Sequence, residues 1–274
     1  MGLVVLVPIF NASHCLATCF DSIIATLPSS AMLLMADDAS TDPEVGPKCR
    51  EVLNRLGSRA QLIQRQHNLG FVENVNRAID DCPDSDVVIL NSDTEVTPGW
   101  LERLVECAAT DPRIATATPW SNNAEICSFP QFCRVNEMPD RAQAAQLAQA
   151  AATLSSHPPL DLPTGVGFAM WINRKAWDEL GGFDTATFGK GYGEENDFCL
   201  RAAAHGWRNV LCPSAYVAHQ GSASFAATGH RPGGENLSRL LARYPYYNAR
   251  VASFIEADPV RPLRDKLTAA LNAI

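Results

Sequence analysis

Three polar groups stand where chemistry could be done. The apolar run "DVVILNSDTEV" ends in Asn91, Ser92 and Asp93. Burying a lone carboxylate is costly unless it is paired or metal-bound, so Asp93 must be solvated, partnered or working. Hard divalent cations take oxygen ligands and accept one or two carboxylates alongside substrate phosphates, although turns and helix N-caps use the same residue types. The stretch "KGYGEENDFCLRAAAHGW" opens a predicted helix with Glu194, Glu195 and Asp197. The helix dipole accounts for one or two acids there, but three carboxylates within four residues repel and should raise at least one pKa, as a general base requires. His219, in "AYVAHQGSASF", ends an apolar strand, where it is either hydrogen-bonded structure or a partner for Asp93 on a divalent metal. Asp37 and Asp38 form a further adjacent pair after "LLMA", in a loop that turn chemistry also explains.

Alternating elements must position these groups. "LVVLVPIF" reads as a strand ended by Pro8, and Asn11 and Ser13 signal a following helix start. "AMLLMADD", "AQLIQRQ" and "DVVILNSDTEV" read as further strands, with helices over "PEVGPKCREVLNRLG", "GFVENVNRAIDDC" and "GWLERLVECAATD". Near-continuously apolar strands alternating with helices predict an α/β fold with a central, mostly parallel sheet covered on both faces. Polar residues punctuate each strand's C-terminal end (Asn11, Asp37 and Asp38, Asn68, Asn91 to Asp93), where ligands of open α/β sheets bind. Residues 127–163 read as an insertion whose "RAQAAQLAQAAATL" is a surface helix, perched near an acceptor. "RNVLCPSAYVAHQ" reads as a closing strand pair. The expected division is a catalytic unit over 1–225 and a C-terminal helical extension over 226–274 that stays outside the sheet.

A chain of 274 residues, 46% hydrophobic and 19% charged, is long enough for one large domain or two small ones. No run reaches the roughly 18 to 20 apolar residues of a membrane span, and "MGLVVLVPIF" lacks the basic flank and cleavage site of a signal peptide. A cytoplasmic location is expected. Peripheral contact with the inner membrane face, through partners or the C-terminal helices, would need something other than a polybasic anchor. A start directly in the first strand reads as one module of a longer chain. The nine cysteines are odd in number, scattered and without a CxxC pair, so they read as reduced core residues. A net charge of -8 argues against nucleic-acid binding and means that an anionic ligand needs cationic help.

Taken in order, "VPIFNAS", "DDASTD", "NLGFVENVNRAI", "LNSDTEVTPGWLERL", "GGFDTATFGKGYGEENDFCLRAAAHGW" and "VAHQGSASF" resemble the family 2 glycosyltransferases, inverting nucleotide-sugar enzymes of GT-A fold, over roughly residues 3 to 225. The resemblance extends to bacterial surface-polysaccharide enzymes, rhamnosyltransferase-like members among them. It implies that Pro8, Phe10 and Asn11 line a nucleoside pocket, with Asp38 or Asp37 accepting from the base. Asn68, Gly70 and Phe71 would form the turn beside ribose and phosphates, supported by Asn76, and Arg65 would reach a phosphate. "NSD" takes the place of the family's DxD motif, with Asn91 where the first acid usually stands, Ser92 between, and Asp93 as the anchor for Mn²⁺ or Mg²⁺. His219 matches a late histidine that can approach the metal. Glu194 and Glu195 match the "ED" pair, with Glu195 at the base position and Glu194 or Asp197 as substitutes. The implied reaction moves a sugar from a UDP- or dTDP-sugar to a hydroxyl of a glycan or lipid-linked acceptor, in one displacement.

Two other readings compete. A sugar nucleotidyltransferase would show a Gly-rich phosphate loop with a basic residue near the N-terminus, and "VPIFNASHCLATC" has neither. A non-catalytic nucleotide-sugar or saccharide-binding module would have no need of the acidic set Asp93, Glu194, Glu195 with His219.

Overall fold

The computed structural model describes residues 2–189, 191–221 and 234–274. The first half alternates as expected: β1 (Gly2–Ile9), α1 (Ser13–Thr26), β2 (Ala31–Asp37), α2 (Val45–Leu56), β3 (Ala60–Gln64), α3 (Phe71–Asp80) and β4 (Ser85–Leu90). There follow β5 (Thr94–Val96), α4 (Trp100–Ala108), β6 (Ile114–Trp120), α5 (Arg141–Ala152), β7 (Leu160–Asp161), β8 (Ala169–Ile172), α6 (Arg174–Leu180), α7 (Thr185–Phe188), α8 (Glu194–Ala204) and β9 (Arg208–His219). Helices α9 (Glu235–Arg243), α10 (Tyr247–Ala257) and α11 (Arg261–Leu271) close the chain. The strands form one mixed sheet in the order β3-β2-β1-β4-β8-β6-β9-β5, with β7 beside β9.

The first four strands are parallel, as crossover helices require. Beyond them β8 lies antiparallel to both β4 and β6, while β9 runs parallel to β6 and antiparallel to β5 and β7. Alternate side chains of β1 face opposite layers. Val5, Val7 and Ile9 join a core beneath α1, α2, α4, α5 and α11, while Val4 and Leu6 join a second core beneath α3, α6, α8 and α9. This two-sided burial is why the strands read as unbroken apolar runs.

Strand order also opens the site. The β1–β2 ladder continues to Ile9 opposite Asp37, but the β1–β4 ladder stops at Leu6 opposite Ile89. Pro8, with no N–H to donate, lies just where its neighbour has departed. The connections reverse direction at this gap between β1 and β4, the position at which open α/β sheets bind ligands.

Two expectations are corrected and a third is sharpened. "DVVILNSDTEV" is not one strand: pairing with β8 ends at Leu90, residues 91–93 turn, and β5 joins the far edge against the end of β9. "RNVLCPSAYVAHQ" is one strand rather than two. Its first half pairs with β6 and its last residues with β5, and the register shift falls beside Pro213, whose missing N–H a bulge tolerates. The predicted surface helix, α5, starts at an Asp140 capping box with Gln143 and buries Ala144, Ala148, Ala150 and Ala151. Arg141, Ala142, Gln143, Ala145, Gln146 and Gln149 stay exposed, so the helix lies at the surface as expected, with its small buried side chains allowing close approach to β9 and α11. The expected boundary at residues 225 and 226 lies outside the described residues. The C-terminal helices stay out of the sheet, yet Leu240 of α9 and Val260, Leu263 and Leu267 around α11 are buried in the two main cores.

Candidate active site

A cavity of about 610 Å³ opens along the carboxyl ends of β1, β2, β4 and β6. One end is made by Pro8, Phe10, Asp38, Asn68, Gly70 and Phe71. Asp38, 3% exposed, accepts from the backbone N–H groups of Leu69 at 2.7 Å and Gly70 at 2.8 Å, and Asn68 Nδ2 donates to its carbonyl at 3.2 Å. This carboxylate therefore knits the turn after β3 to the turn after β2. Burial raises its pKa, against the lowering by those two N–H donors.

The middle of the cavity holds Asn91, Ser92, Asp93 and His219. β5 and β9 pair Thr94 with His219, and the Gln220 N–H donates to the Asp93 carbonyl at 3.0 Å, so the two side chains come from neighbouring backbones. His219 Nδ1 lies 2.7 Å from the Asn123 carbonyl. A carbonyl accepts only, so Nδ1 carries a hydrogen, which leaves Nε2 as the ring nitrogen that could ligate a metal. That Nε2 is buried, makes no hydrogen bond among the described residues and stands 3.4 Å from Asp93 Oδ1. The ring stacks on Phe168 with centroids 5.0 Å apart. The two atoms could supply one nitrogen and one oxygen ligand to a divalent ion. Among the described residues no third His, Cys, Asp or Glu completes a protein-only cage, so further ligands would come from substrate oxygens and water. Among the described residues no Arg or Lys lines the cavity, while Asp38, Asp93, Glu125, Glu194 and Glu195 do. Two like charges 4 Å apart repel by about 4 kcal/mol at an effective dielectric of 20, so an anionic diphosphate needs a cation here.

The far end is carried by the N-terminus of α8. Gly193 precedes the helix at φ 104, and a Cβ there would come within 3.0 Å of the Phe188 ring, so both conformation and space demand glycine. Glu194 is 5% exposed, lines the cavity and leaves Oε2 without a hydrogen-bond partner among the described residues. Glu195 lines it too, accepting from the Gly193 N–H at 3.3 Å and from Asn196 Nδ2 at 3.0 Å. Burial first and the Glu195 charge second push the Glu194 carboxyl well above the usual glutamate range. Burial also raises Glu195, with a further contribution from Glu125. Glu194, deeper and with fewer hydrogen bonds, is pushed up the more strongly of the two.

Five predicted residues are not brought to the cavity wall. The Asn11 side chain accepts from the Thr41 and Asp42 N–H groups, and Asp37 accepts from the Ser40 N–H, so both shape the loop after β2. Arg65 Nε donates to Asn74 Oδ1 at 3.0 Å. Asn76 bridges the backbone of Phe183 and the Thr185 hydroxyl on the back of α3. Asp197 is fully buried, with Oδ2 2.7 Å from Arg201 Nε and Oδ1 2.6 Å from Arg243 Nη1 and 2.9 Å from the Tyr244 hydroxyl. All of its capacity is directed at α8 and α9, which removes it from the choice of base.

Other lining residues carried no sequence signal. Glu125 sits in a one-turn helix (Glu125–Cys127) after β6, and Tyr192 precedes α8. Leu237, Leu240 and Tyr247 come from the C-terminal helices, and the Tyr247 hydroxyl donates to Asn196 Oδ1 at 2.8 Å. Only the distance in chain between α8 and α10 hid this pairing.

Comparison with known proteins agrees with this geometry. The sequence matches the family described as Glycosyltransferase like family 2 over residues 2–232. It is 25% identical over 236 residues, 77% of this chain and 71% of the relative, to the N-acetylglucosaminyl-diphospho-decaprenol L-rhamnosyltransferase of Mycobacterium tuberculosis. The fold is similar to that of GalNAc-T7, solved with UDP, GalNAc and Mn²⁺, at TM-score 0.61 and 17% identity over 91% of this chain. The match spans about half, 51%, of that longer chain. It is equally similar, at TM-score 0.61 and 17% identity, to the mannosyltransferase PcManGT from Pyrobaculum calidifontis in complex with GDP-Man and Mn²⁺, over 99% of this chain and 74% of that one. The fold is GT-A, and the chain belongs to the family 2 glycosyltransferases.

Proposed function

We propose that this glycosyltransferase takes a sugar from a UDP- or dTDP-sugar and transfers it, with inversion, to a hydroxyl of a glycan or lipid-linked acceptor in bacterial surface-polysaccharide assembly at the cytoplasmic side of the membrane. The observation that carries the reading is the buried pair Asp93 Oδ1 and His219 Nε2, 3.4 Å apart, in the same cavity as the Glu194–Glu195 pair. The mycobacterial rhamnosyltransferase named above supports the substrate class, and the nucleotides and Mn²⁺ of the two solved neighbours support the donor chemistry.

In this reading Pro8, Phe10, Asn68, Gly70 and Phe71 hold the nucleoside end, and Asp38 keeps their turns together while offering its remaining lone pairs to the base. Asp93 and His219 hold Mn²⁺ or Mg²⁺, which when bound stabilises charge on the departing diphosphate as a Lewis acid. Asn91 and Ser92 shape that loop. Glu195 removes the proton from the acceptor hydroxyl, whose oxygen attacks the anomeric carbon on the face opposite the leaving group. Glu194, keeping its proton, limits the negative charge beside the base. A single displacement inverts the configuration. No helix among the described residues is long and apolar enough to cross a membrane.

The test is release of nucleoside diphosphate from a panel of UDP- and dTDP-sugars with Mn²⁺, before and after chelation, by wild type and Asp93→Ala. Metal-dependent release by wild type and its loss in the variant are expected. Release that survives chelation or the substitution would overturn the assignment.

A further inference from the structure

The transfer chemistry leaves one cavity carboxylate without a task. Glu125 follows β6, on the opposite side of the β4 terminus from the nucleoside end. Its backbone is held at φ 47, in the left-handed region that costs an ordinary residue roughly 1–2 kcal/mol. The conformation is fixed by its own carbonyl, which accepts from the Ser128 and Cys133 N–H groups at 3.0 and 3.1 Å. Ala124, Ile126 and Cys127 are buried around it, and the Glu125 side chain is left lining the cavity. Its carboxylate makes no hydrogen bond or ion pair among the described residues. The residue is exposed at the mouth of the cavity, and partial desolvation of its carboxyl by the surrounding protein raises its pKa. Across the cavity Glu195 and the Tyr247 hydroxyl feel its charge. Independently, the buried Glu194 Oε2 in the same wall has no hydrogen-bond partner among the described residues. A solvent-facing carboxylate on one wall and a buried oxygen on the other, neither with a partner among the described residues, share the cavity with Tyr247, Leu237 and Leu240 and suit a ligand with several hydroxyl donors and an apolar face. A pyranose has both.

We propose that Glu125 is a specificity-determining residue for the acceptor: its carboxylate accepts hydrogen bonds from hydroxyls of the incoming pyranose next to the hydroxyl that Glu195 deprotonates. This rests on the function proposed above and deepens it, since it locates acceptor recognition on the loop after β6. The left-handed turn would serve to aim the side chain, as strained residues at ligand clamps do.

The experiment is binding of a panel of methyl pyranosides (gluco, galacto, manno, rhamno and N-acetylglucosamine) followed by saturation-transfer NMR, with wild type, Glu125→Gln and Glu125→Ala. Glu125→Asn, which tolerates the left-handed backbone, guards against misfolding, and melting temperatures identify any variant that fails to fold. Loss of charge-assisted hydrogen bonds should weaken the preferred glycoside about tenfold or more in each folded variant, and lower acceptor transfer more than donor hydrolysis. No glycoside bound by wild type, or equal binding by wild type and the folded variants, would overturn the proposal. The broader function stands or falls separately, on metal-dependent release of nucleoside diphosphate.

Discussion

Replacing Asp197 by Asn separates a structural carboxylate from a chemical one. The wild-type side chain is 0% exposed and meets Arg201 and Arg243 at 2.7 and 2.6 Å. Removing one partner of a buried ion pair costs about 3–5 kcal/mol. Here the low end applies, because the stranded cations keep other partners. Arg201 donates to the Leu180 and Gly182 carbonyls at 2.6 Å each, and Arg243 reaches Asp184 at 2.8 Å. The two arginine side chains are also 22% and 38% exposed, so solvent shares the load. Taking about 3 kcal/mol, at roughly 2–4 °C per kcal/mol for a chain near this size, the melting temperature should fall by about 6–12 °C. Differential scanning calorimetry gives the shift, and a pH–rate profile of the surviving enzyme should keep the wild-type shape. A melting temperature within about 2 °C of wild type, together with loss of the acid limb of the profile, would refute the reasoning and make Asp197 the base.

Glu195→Gln should bind donor nucleotide but lose about 10²–10⁴-fold in turnover, measured in single-turnover assays; the same loss in Glu194→Gln instead would exchange their roles. Because the paired carboxyls sit above the usual glutamate range, the acid limb of wild-type kcat/KM should lie above it as well. For stability the sign is set by the same shift. The folded chain keeps a proton on Glu194 that the unfolded chain has lost, so stability falls as pH rises from the ordinary glutamate pKa toward the raised one. Glu194→Gln should flatten that decline in urea unfolding measured from pH 4 to 8, and an unchanged slope would count against the buried proton. Deleting residues 234–274 should weaken glycoside binding and lower stability more than it lowers donor hydrolysis, since Leu237, Leu240 and Tyr247 wall the far end of the cavity. Loss of nucleotide binding alone would mean that the tail serves the donor end.

Much of the fold was legible because β1 to β4 bury both faces and their helices carry local signals. The polar ends after β1, β2 and β4 were legible for the same reason: an apolar strand that stops in Asp, Asn or Ser marks its own terminus. What could not be read depends on partners far away in chain. Asp197 looked like a third catalytic candidate because its second arginine, Arg243, stands 46 residues on. "DVVILNSDTEV" looked continuous because the strand that captures its last residues, β9, ends at His219. Glu125 lay in no pattern at all, since a left-handed turn held by Ser128 and Cys133 has no short-range signature outside glycine and asparagine. The alanine-rich α5 lies at the surface as its composition suggested, but which of its alanines are buried could not be read, because small residues serve tight packing as readily as solvent exposure.

The pairing of Thr94 with His219 makes the Asp93–His219 geometry a property of backbone register. Successive side chains of a strand point to opposite faces, so inserting or deleting a single residue in β5, or in the last turn of β9, would send the imidazole to the wrong side however faithfully every side chain were retained. The span between carboxylate and ring is thus ruled by the hydrogen-bond ladder. Loops around the rim can be exchanged to suit new sugars while this ruler stays untouched.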